Sequence, residues 1–232
     1  MTAVLDLARV SVDLPAGGFF APVRLPVVLD VSLGVARGQS VALVGESGSG
    51  KTTLARAVMG LQPVAAGRIA FEGAAVEGRA GFARLRRNSA LMFQDATASL
   101  SPRLTVGDLV TEPFRIHGQP LPDPRRTARE LLGMVGLPPA MASRYPHELS
   151  GGQARRVGVA RALALKPRLV IADEPTAGLD VSVQAEVLNL MTDLRQAMGL
   201  AYLIITHNLA LVRHVADRVA VLYLGRVVEE GP

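Results

Sequence analysis

The sequence contains no cysteine, and aromatic residues make up only 4% of its 232 residues. Without cysteine the chain forms no disulfide, no thiolate zinc site and no cysteine-ligated cluster. No apolar run approaches the roughly 18 residues needed to cross a bilayer, and the first residues lack a basic region followed by an apolar block. We therefore expect a chain that neither spans a membrane nor is secreted by itself, and whose fold is stabilised by packing.

Lysine is also scarce, and the basic residues are dispersed. The net charge is +5, the lysines are Lys51 and Lys166, and no basic run exceeds an arginine pair such as Arg86–Arg87. Nucleic-acid-binding tails carry blocks of like charge, and single-strand binders use aromatic stacking platforms. We therefore expect a solvated arginine-rich surface and no nucleic-acid partner. The apolar fraction of 49% excludes a disordered chain and supplies a sizeable core.

Strand and helix patterns alternate along the chain. Alternating β-branched residues and short apolar runs predict strands at Val4–Leu14, Val27–Leu33, Ser40–Val44, Arg68–Phe71, Ala90–Phe93, Arg168–Ala172, Ala201–Ile205 and Arg218–Leu224. Helical spacing predicts helices at Lys51–Met59, Val106–Ile116, Asp123–Val135, Ala154–Leu165, Val181–Met198 and Leu209–Val215. Three of these helices follow one another between prolines, which indicates a helical insertion. Apolar strands that alternate with helices predict an α/β fold with a mostly parallel sheet covered on both faces.

A glycine-rich loop lies between a predicted strand and a predicted helix. It reads Gly45-Glu46-Ser47-Gly48-Ser49-Gly50-Lys51-Thr52 and fits the phosphate-loop pattern G-x-x-x-x-G-K-[ST]. Glycines let backbone N–H groups close around phosphate oxygens, and the helix that starts near Lys51 directs its free N–H groups at the same charge. The pattern predicts that Lys51 reaches the β and γ phosphates of a nucleotide and that the Thr52 hydroxyl ligates Mg²⁺.

Two carboxylates follow the buried-strand pattern of Leu169–Ala172. Asp173 and Glu174 are expected at the carboxyl edge of the parallel sheet, where ligands bind in such folds. Because adjacent carboxylates repel one another, the pair favours a bound cation. Asp173 fits the Mg²⁺ shell, and Glu174 fits a role in orienting or deprotonating an attacking water molecule.

A second glycine turn, Leu149-Ser150-Gly151-Gly152-Gln153, opens a predicted helix. Ser150 stands in the N-cap position, and the two glycines leave the backbone open to approach by a ligand. The string predicts a second anion site. Taken alone, it is also compatible with a plain helix cap.

These strings, in this order, resemble those of the ATP-binding cassette (ABC) ATPases over essentially the whole chain, residues 1–232. The resemblance implies a P-loop NTPase fold in a single nucleotide-binding domain. Its parts would be a mostly parallel central sheet, an antiparallel β subdomain and an α-helical subdomain inserted at about residues 105–163. The implied cofactors are ATP and Mg²⁺. The implied nucleotide-binding residues are Gly45, Glu46, Ser47, Gly48, Ser49, Gly50, Lys51, Thr52, Thr53, Gln94, Ser150, Gly151, Gly152 and Gln153.

The resemblance also assigns roles to residues outside these strings. Gln94 in Met92–Asp95 matches the Q-loop, which senses Mg²⁺ and couples to membrane subunits. Ala177–Asp180 matches the D-loop, and His207 matches the switch histidine that contacts the γ phosphate. The implied metal-binding residues are Thr52, Gln94 and Asp173, and the implied catalytic residues are Glu174 and His207. Phe19 or Phe20 is a candidate for stacking on adenine, with a plain hydrophobic anchor as the alternative.

Longer strings resemble the branch of the family that imports dipeptides, oligopeptides and nickel. They are Ser99–Val106, Tyr145–Leu149 and Leu179–Ala185. The chain departs from that branch at Ser101, Arg155, Gly178 and Asn208, where the branch usually has Asn, Gln, Ala and Asp. None of these departures removes a phosphate ligand. The branch usually continues past Pro232, so we expect either a truncated product or a naturally short member, like the related ATPases of phosphonate operons.

The resemblance implies the ATPase subunit of an importer of peptides or a related small solute, with nickel as another candidate, at the cytoplasmic face of the cell membrane. The expected partners are integral permease subunits, a second ATPase subunit that is identical or a paralogue, and, indirectly, an extracytoplasmic solute-binding protein. Two helix N-termini from different subunits would close head to tail on one triphosphate. The alternatives are an exporter, or an ABC ATPase in a non-transport complex that acts on ribosomes, in DNA repair or in phosphonate metabolism.

Overall fold

The computed structural model describes residues 3–16, 23–95 and 98–232. In chain order the strands are β1 (Ala3–Ala16), β2 (Val23–Ala36), β3 (Ser40–Val44), β4 (Ala66–Phe71), β5 (Ala74–Ala75), β6 (Ser89–Met92), β7 (Leu169–Asp173), β8 (Ala201–Thr206), β9 (Arg218–Tyr223) and β10 (Arg226–Gly231). The helices are α1 (Lys51–Val58), α2 (Gly78–Asn88), α3 (Val106–Ile116), α4 (Pro124–Met134), α5 (Gly151–Leu163), α6 (Val181–Met198) and α7 (Leu209–Val215). Two short 3₁₀ helices, Pro139–Ser143 and Pro146–Glu148, precede α5.

The central sheet has six strands in the order β10-β9-β3-β8-β7-β6. All neighbouring strands are parallel except β10, which pairs antiparallel with β9. Strands β3, β7 and β8 are buried at every residue, which explains their continuous apolar composition. The predicted parallel sheet is confirmed. Because the carboxyl ends of β3, β7 and β8 meet at one edge, the glycine-rich loop, the acidic pair and His207 come together there.

A second sheet, in the order β2-β1-β4-β5, is antiparallel throughout. Its apolar face shares a core with α1 and with one face of the central sheet. Leu5, Leu7 and Phe71 from the second sheet belong to the same buried cluster as Leu43 and Leu203 from the central sheet. This arrangement confirms the antiparallel β subdomain and places β1 and β2 beside the glycine-rich loop.

Helices cover the other face of the central sheet. Leu109, Leu132 and Val157 from α3, α4 and α5 lie in one buried cluster with Val170 and Ile204 from the sheet. These three helices come between β6 and β7 in the chain, and α3 packs against both α4 and α5. Within residues 3–16, 23–95 and 98–232, no helix has both the length and the apolar character that a membrane crossing requires.

Three of the strands and α-helices were not predicted, namely α2, β10 and the two-residue strand β5. Within α2 only Leu85 is buried, glycine stands at two positions, and no side chain caps the helix start at Glu77. The helix therefore has almost no apolar face from which to infer its period. Strand β10 lies at the edge of the sheet and its residues are mostly exposed, so it lacks the apolar alternation of an internal strand.

Candidate functional site

The loop between β3 and α1 approaches neighbouring backbone too closely for side chains at two of its positions. A Cβ added at Gly45 would overlap the carbonyl oxygen of Leu222. Gly50, the N-cap of α1, has a φ of 106°, and an added Cβ would lie 2.8 Å from the Val27 carbonyl oxygen. Glycine also leaves no cap for the first N–H groups of α1. These groups and the positive end of the helix dipole are therefore available to an anion.

The Lys51 side chain folds back onto this loop. Its amino group donates to the carbonyl oxygens of Gly45 and Glu46, at 2.7 and 2.6 Å, and to the Ser49 hydroxyl at 3.3 Å. Burial lowers the pKa of Lys51, and the charges of Glu174 and Asp173 oppose that shift. Lys51 therefore supplies a buried cation next to the two carboxylates.

Asp173 ends β7 with a buried carboxylate that is 7% exposed. Burial raises its pKa, a hydrogen bond from Thr52 lowers it, and the neighbouring charge of Glu174 raises it further. Among the described residues its Oδ1 atom has no hydrogen-bond partner. A buried carboxylate oxygen without a donor, beside the Thr52 hydroxyl, is an all-oxygen set of the kind that Mg²⁺ prefers.

The protein supplies only part of such a metal shell. In the part of the chain that the structure covers, no group of three or more His, Asp or Glu side chains could hold a metal ion. Mg²⁺ sites that serve nucleotides use one or two protein ligands together with water and phosphate oxygens. Thr52 and Asp173 fit this shared type of site.

Glu174 and His207 form a direct pair across β7 and β8. The Nδ1 atom of His207 lies 2.6 Å from Oε1 of Glu174, and the backbone N–H of His207 donates to the same oxygen at 3.1 Å. The Thr206 hydroxyl donates to the other carboxylate oxygen at 3.2 Å. Glu174 has a φ of 49°, the left-handed conformation that side chains rarely adopt, and the paired strands hold it there. The sequence predicted both residues but not their contact, nor the role of Thr206.

One open cleft of 580 Å³ collects most of the predicted site. It is lined by Ser47, Gly48, Gly50, Lys51, Thr52, Thr53, Gln94, Asp173, Glu174 and His207, together with Leu14 and Val27. Gly45, Glu46 and Ser49 belong to the loop but do not line this cleft. Leu14 and Val27 were missed because, in the sequence, they read as ordinary strand residues. Phe19 and Phe20, the predicted adenine contacts, lie outside the described residues.

The second glycine turn lies elsewhere. Ser150 caps α5 by accepting a hydrogen bond from the Gln153 N–H at 3.3 Å, and the Gln153 side chain accepts from the Ser150 N–H at 3.0 Å. Ser150 and Gly151 are exposed, and none of residues 150–153 lines the cleft. A Cβ at Gly152 would lie 2.8 Å from Cγ1 of Val183, so this glycine also permits the close approach of α6.

Comparison with known proteins gives relatives over nearly the whole chain. Residues 28–177 match the sequence profile of the ABC transporter family. A protein of Brucella abortus (strain 2308) that is named as a peptide import ATP-binding protein is 48% identical over 98% of this chain and 69% of its own length. One of Sinorhizobium fredii, named as a peptide ABC transporter ATP-binding protein, is 46% identical over 99% of this chain and 67% of its own.

Solved structures agree with these sequence relatives. The dimeric ATP-binding cassette MJ0796, in a post-hydrolysis state bound to ADP and Pi, is 27% identical and has a TM-score of 0.86, covering 98% of this chain and 97% of that one. The cbiO1 protein of Clostridium perfringens, part of the ABC transporter complex cbiONQ, is also 27% identical and has a TM-score of 0.85. The match covers 100% of this chain and 89% of that one. This chain therefore belongs to the ABC transporter family, in which it is the ATP-binding cassette, the ATPase subunit.

Proposed function

We propose that the chain binds and hydrolyses ATP together with a second cassette and thereby powers the uptake of peptides or a related small solute. The observation that carries the proposal is the convergence of Lys51, Thr52, Asp173, Glu174 and His207 in one cleft. The curated relatives named for peptide import, at 46% and 48% identity, support the substrate class. The solute itself would be bound by the permease and a solute-binding protein.

Each side chain in the cleft has a distinct task in this proposal. Lys51 and the N-terminus of α1 hold the negative charge of the triphosphate. Thr52, Asp173 and Gln94 would hold Mg²⁺, which neutralises charge that develops on the phosphate oxygens. Glu174 orients or deprotonates the attacking water molecule, and its hydrogen bonds to His207 keep the carboxylate in place.

The signature residues serve a second subunit in this proposal. Ser150 and Gly151 are exposed and lie outside the cleft of their own chain, at the N-terminus of a helix. They are therefore free to meet the triphosphate of another chain, and two copies would close head to tail on shared ATP. The partner cassette is an identical chain or a paralogue.

The proposed permease contact is an apolar groove beside Gln94. The groove has a volume of 470 Å³, and its lining includes Phe93, Pro113, Ile116 and His117. Phe93 and Ile116 are 48% and 63% exposed, so the groove presents large apolar side chains to solvent. Docking of integral permease subunits here would place the chain at the cytoplasmic face of the membrane.

Hydrolysis by the purified chain tests the ATPase part of this proposal. Wild-type chain should hydrolyse ATP only with Mg²⁺, whereas Lys51→Ala should lose nucleotide binding, because the triphosphate loses its buried cation. Release of phosphate and binding of a fluorescent ATP analogue are the two measurements. Equal ATP affinity in the two chains would contradict the role of the loop.

Co-sedimentation tests the transport part. Chain expressed in its native cell should sediment with the membrane fraction and be recovered with integral permease subunits after mild solubilisation. Recovery with ribosomes or with a soluble enzyme complex would contradict the transport proposal while leaving the ATPase assignment in place.

A further inference from the structure

Arg155 on α5 is a buried cation that the activity described so far does not use. It is 4% exposed, and within the described residues it forms no ion pair with a carboxylate. Burial lowers its pKa, and only the charge of Asp95 opposes that shift. A buried and unpaired guanidinium is costly, so its contacts must compensate.

Those contacts are three backbone carbonyl oxygens from two loops. One terminal nitrogen donates to Phe93 at 3.1 Å, and the other donates to Gln94 at 2.9 Å and to Ala177 at 3.1 Å. The planar guanidinium fixes the directions of these N–H groups, so it also fixes the loops relative to one another. Its Nε atom has no hydrogen-bond partner in the described ranges.

Both loops carry residues of the ATP cleft. Gln94 lines the cleft itself. The Ala177 N–H donates to the backbone carbonyl oxygen of Glu174 at 3.1 Å, so a single turn joins the Arg155 contact to the backbone of the proposed catalytic residue. Arg155 also lines the apolar groove next to Phe93. It therefore lies between the groove and the cleft, about one helical turn beyond the signature residue Gly151.

From this geometry we infer that Arg155 is a positioning residue: it holds the Gln94 loop and the segment after Glu174 in a fixed relation to α5. The inference rests on the proposed ATPase function and deepens it. The signature helix thereby sets the positions of the two groups expected to act on Mg²⁺ and on water. A single amide side chain at this position could not reach three carbonyl oxygens with its two N–H donors.

The test uses Arg155→Gln and Arg155→Lys in the full chain. Both should bind ATP within about twofold of wild type, because the phosphate loop is untouched, and both should lose kcat by about tenfold or more. The Mg²⁺ concentration for half-maximal hydrolysis should rise, because Gln94 shifts. Lysine keeps the charge but not the planar fork, so its failure to restore kcat identifies geometry as the cause.

The matched control is Arg195→Gln, which removes a half-buried arginine that pairs with Asp217. Neither residue lines the cleft. It should lower the melting temperature without changing kcat by more than about twofold. The inference is wrong if Arg155→Gln hydrolyses ATP like wild type, or if ATP affinity and kcat fall together with the melting temperature. If the wild-type chain did not hydrolyse ATP, the result would instead contradict the proposed function. If Arg155→Gln does not fold, Arg155→Lys gives the same comparison.

Discussion

At the scale of single residues, Asp173 shows that the site is built at the expense of stability. Its folded-state pKa lies above that of an unfolded aspartate because burial disfavours the charged form. The protonated side chain therefore stabilises the fold fully at low pH, below the unfolded pKa. That contribution is lost as the pH rises through the folded pKa. The ionised carboxylate destabilises the chain until a cation binds.

The first prediction follows for Asp173→Asn, which keeps the shape and removes the charge. In EDTA at about pH 7, the variant should be more stable than wild type by roughly 0.5–2 kcal/mol in urea unfolding. The difference should shrink as the pH falls, because wild-type Asp173 then becomes neutral. Mg²⁺ with ATP should stabilise wild type more than it stabilises the variant. A variant that is less stable than wild type in EDTA at neutral pH would contradict this reading of Asp173.

Single residues also show how far the sequence could predict the site. Lys51, Thr52 and Asp173 follow strands with strong local patterns, and the structure places all three in one cleft. Leu14 and Val27 line the same cleft, yet their sequence context is that of any half-buried strand. Their role depends on how the second sheet packs over the loop, a long-range contact without a local sequence signal.

At the scale of elements, the caps of α4 and α5 are a matched pair. Ser150 accepts from the N–H of Gln153, and Asp123 accepts from the N–H of Arg126 at 2.9 Å. Replacing either cap with alanine should cost about 1 kcal/mol of stability, because a helical N–H loses its acceptor. Of these two cap residues, only Ser150 is assigned a nucleotide contact by the proposed function.

The second prediction compares Ser150→Ala with Asp123→Ala. Urea unfolding should show similar losses of stability for the two variants. ATP hydrolysis should fall by about tenfold or more in Ser150→Ala and remain within about twofold of wild type in Asp123→Ala. If Ser150→Ala also hydrolysed ATP within about twofold of wild type, Ser150 would have a capping role only, and this result would count against the shared site.

Elements with a continuous apolar run or one strongly apolar side were predicted well, and those with neither were missed. Strand β3 and helices α3, α6 and α7 begin and end at the predicted residues. Helix α2 was missed because its one buried residue, Leu85, gives no period, and its stability comes instead from long-range contacts. Arg86, for example, donates to the carbonyl oxygens of Met59 and Gly60, at 2.8 Å each. Such tertiary contacts leave no pattern within the helix sequence.

At the scale of the whole molecule, Ser150 lies outside the cleft of its own chain. This position leaves two interpretations of the glycine turn, a helix cap or part of another chain's phosphate site. If the turn were only a cap, one chain would suffice for hydrolysis. If it completes the phosphate site of another chain, ATP must hold two chains together, and loss of the γ phosphate must release them. The apparent mass of the chain in solution distinguishes these readings.

The last prediction uses Glu174→Gln, which removes the proposed base and keeps the phosphate loop. With ATP and Mg²⁺, this variant should bind nucleotide, show no turnover and shift from 24.4 kDa to twice that mass in light scattering. Adding Ser150→Arg to it should abolish the shift, because an exposed arginine at the cap blocks close contact between two chains. Asp123→Arg in the same background is the control and should leave the shift intact. Normal turnover in Glu174→Gln would remove Glu174 from its role. A monomer that binds ATP without turnover would keep that role and contradict the two-chain site.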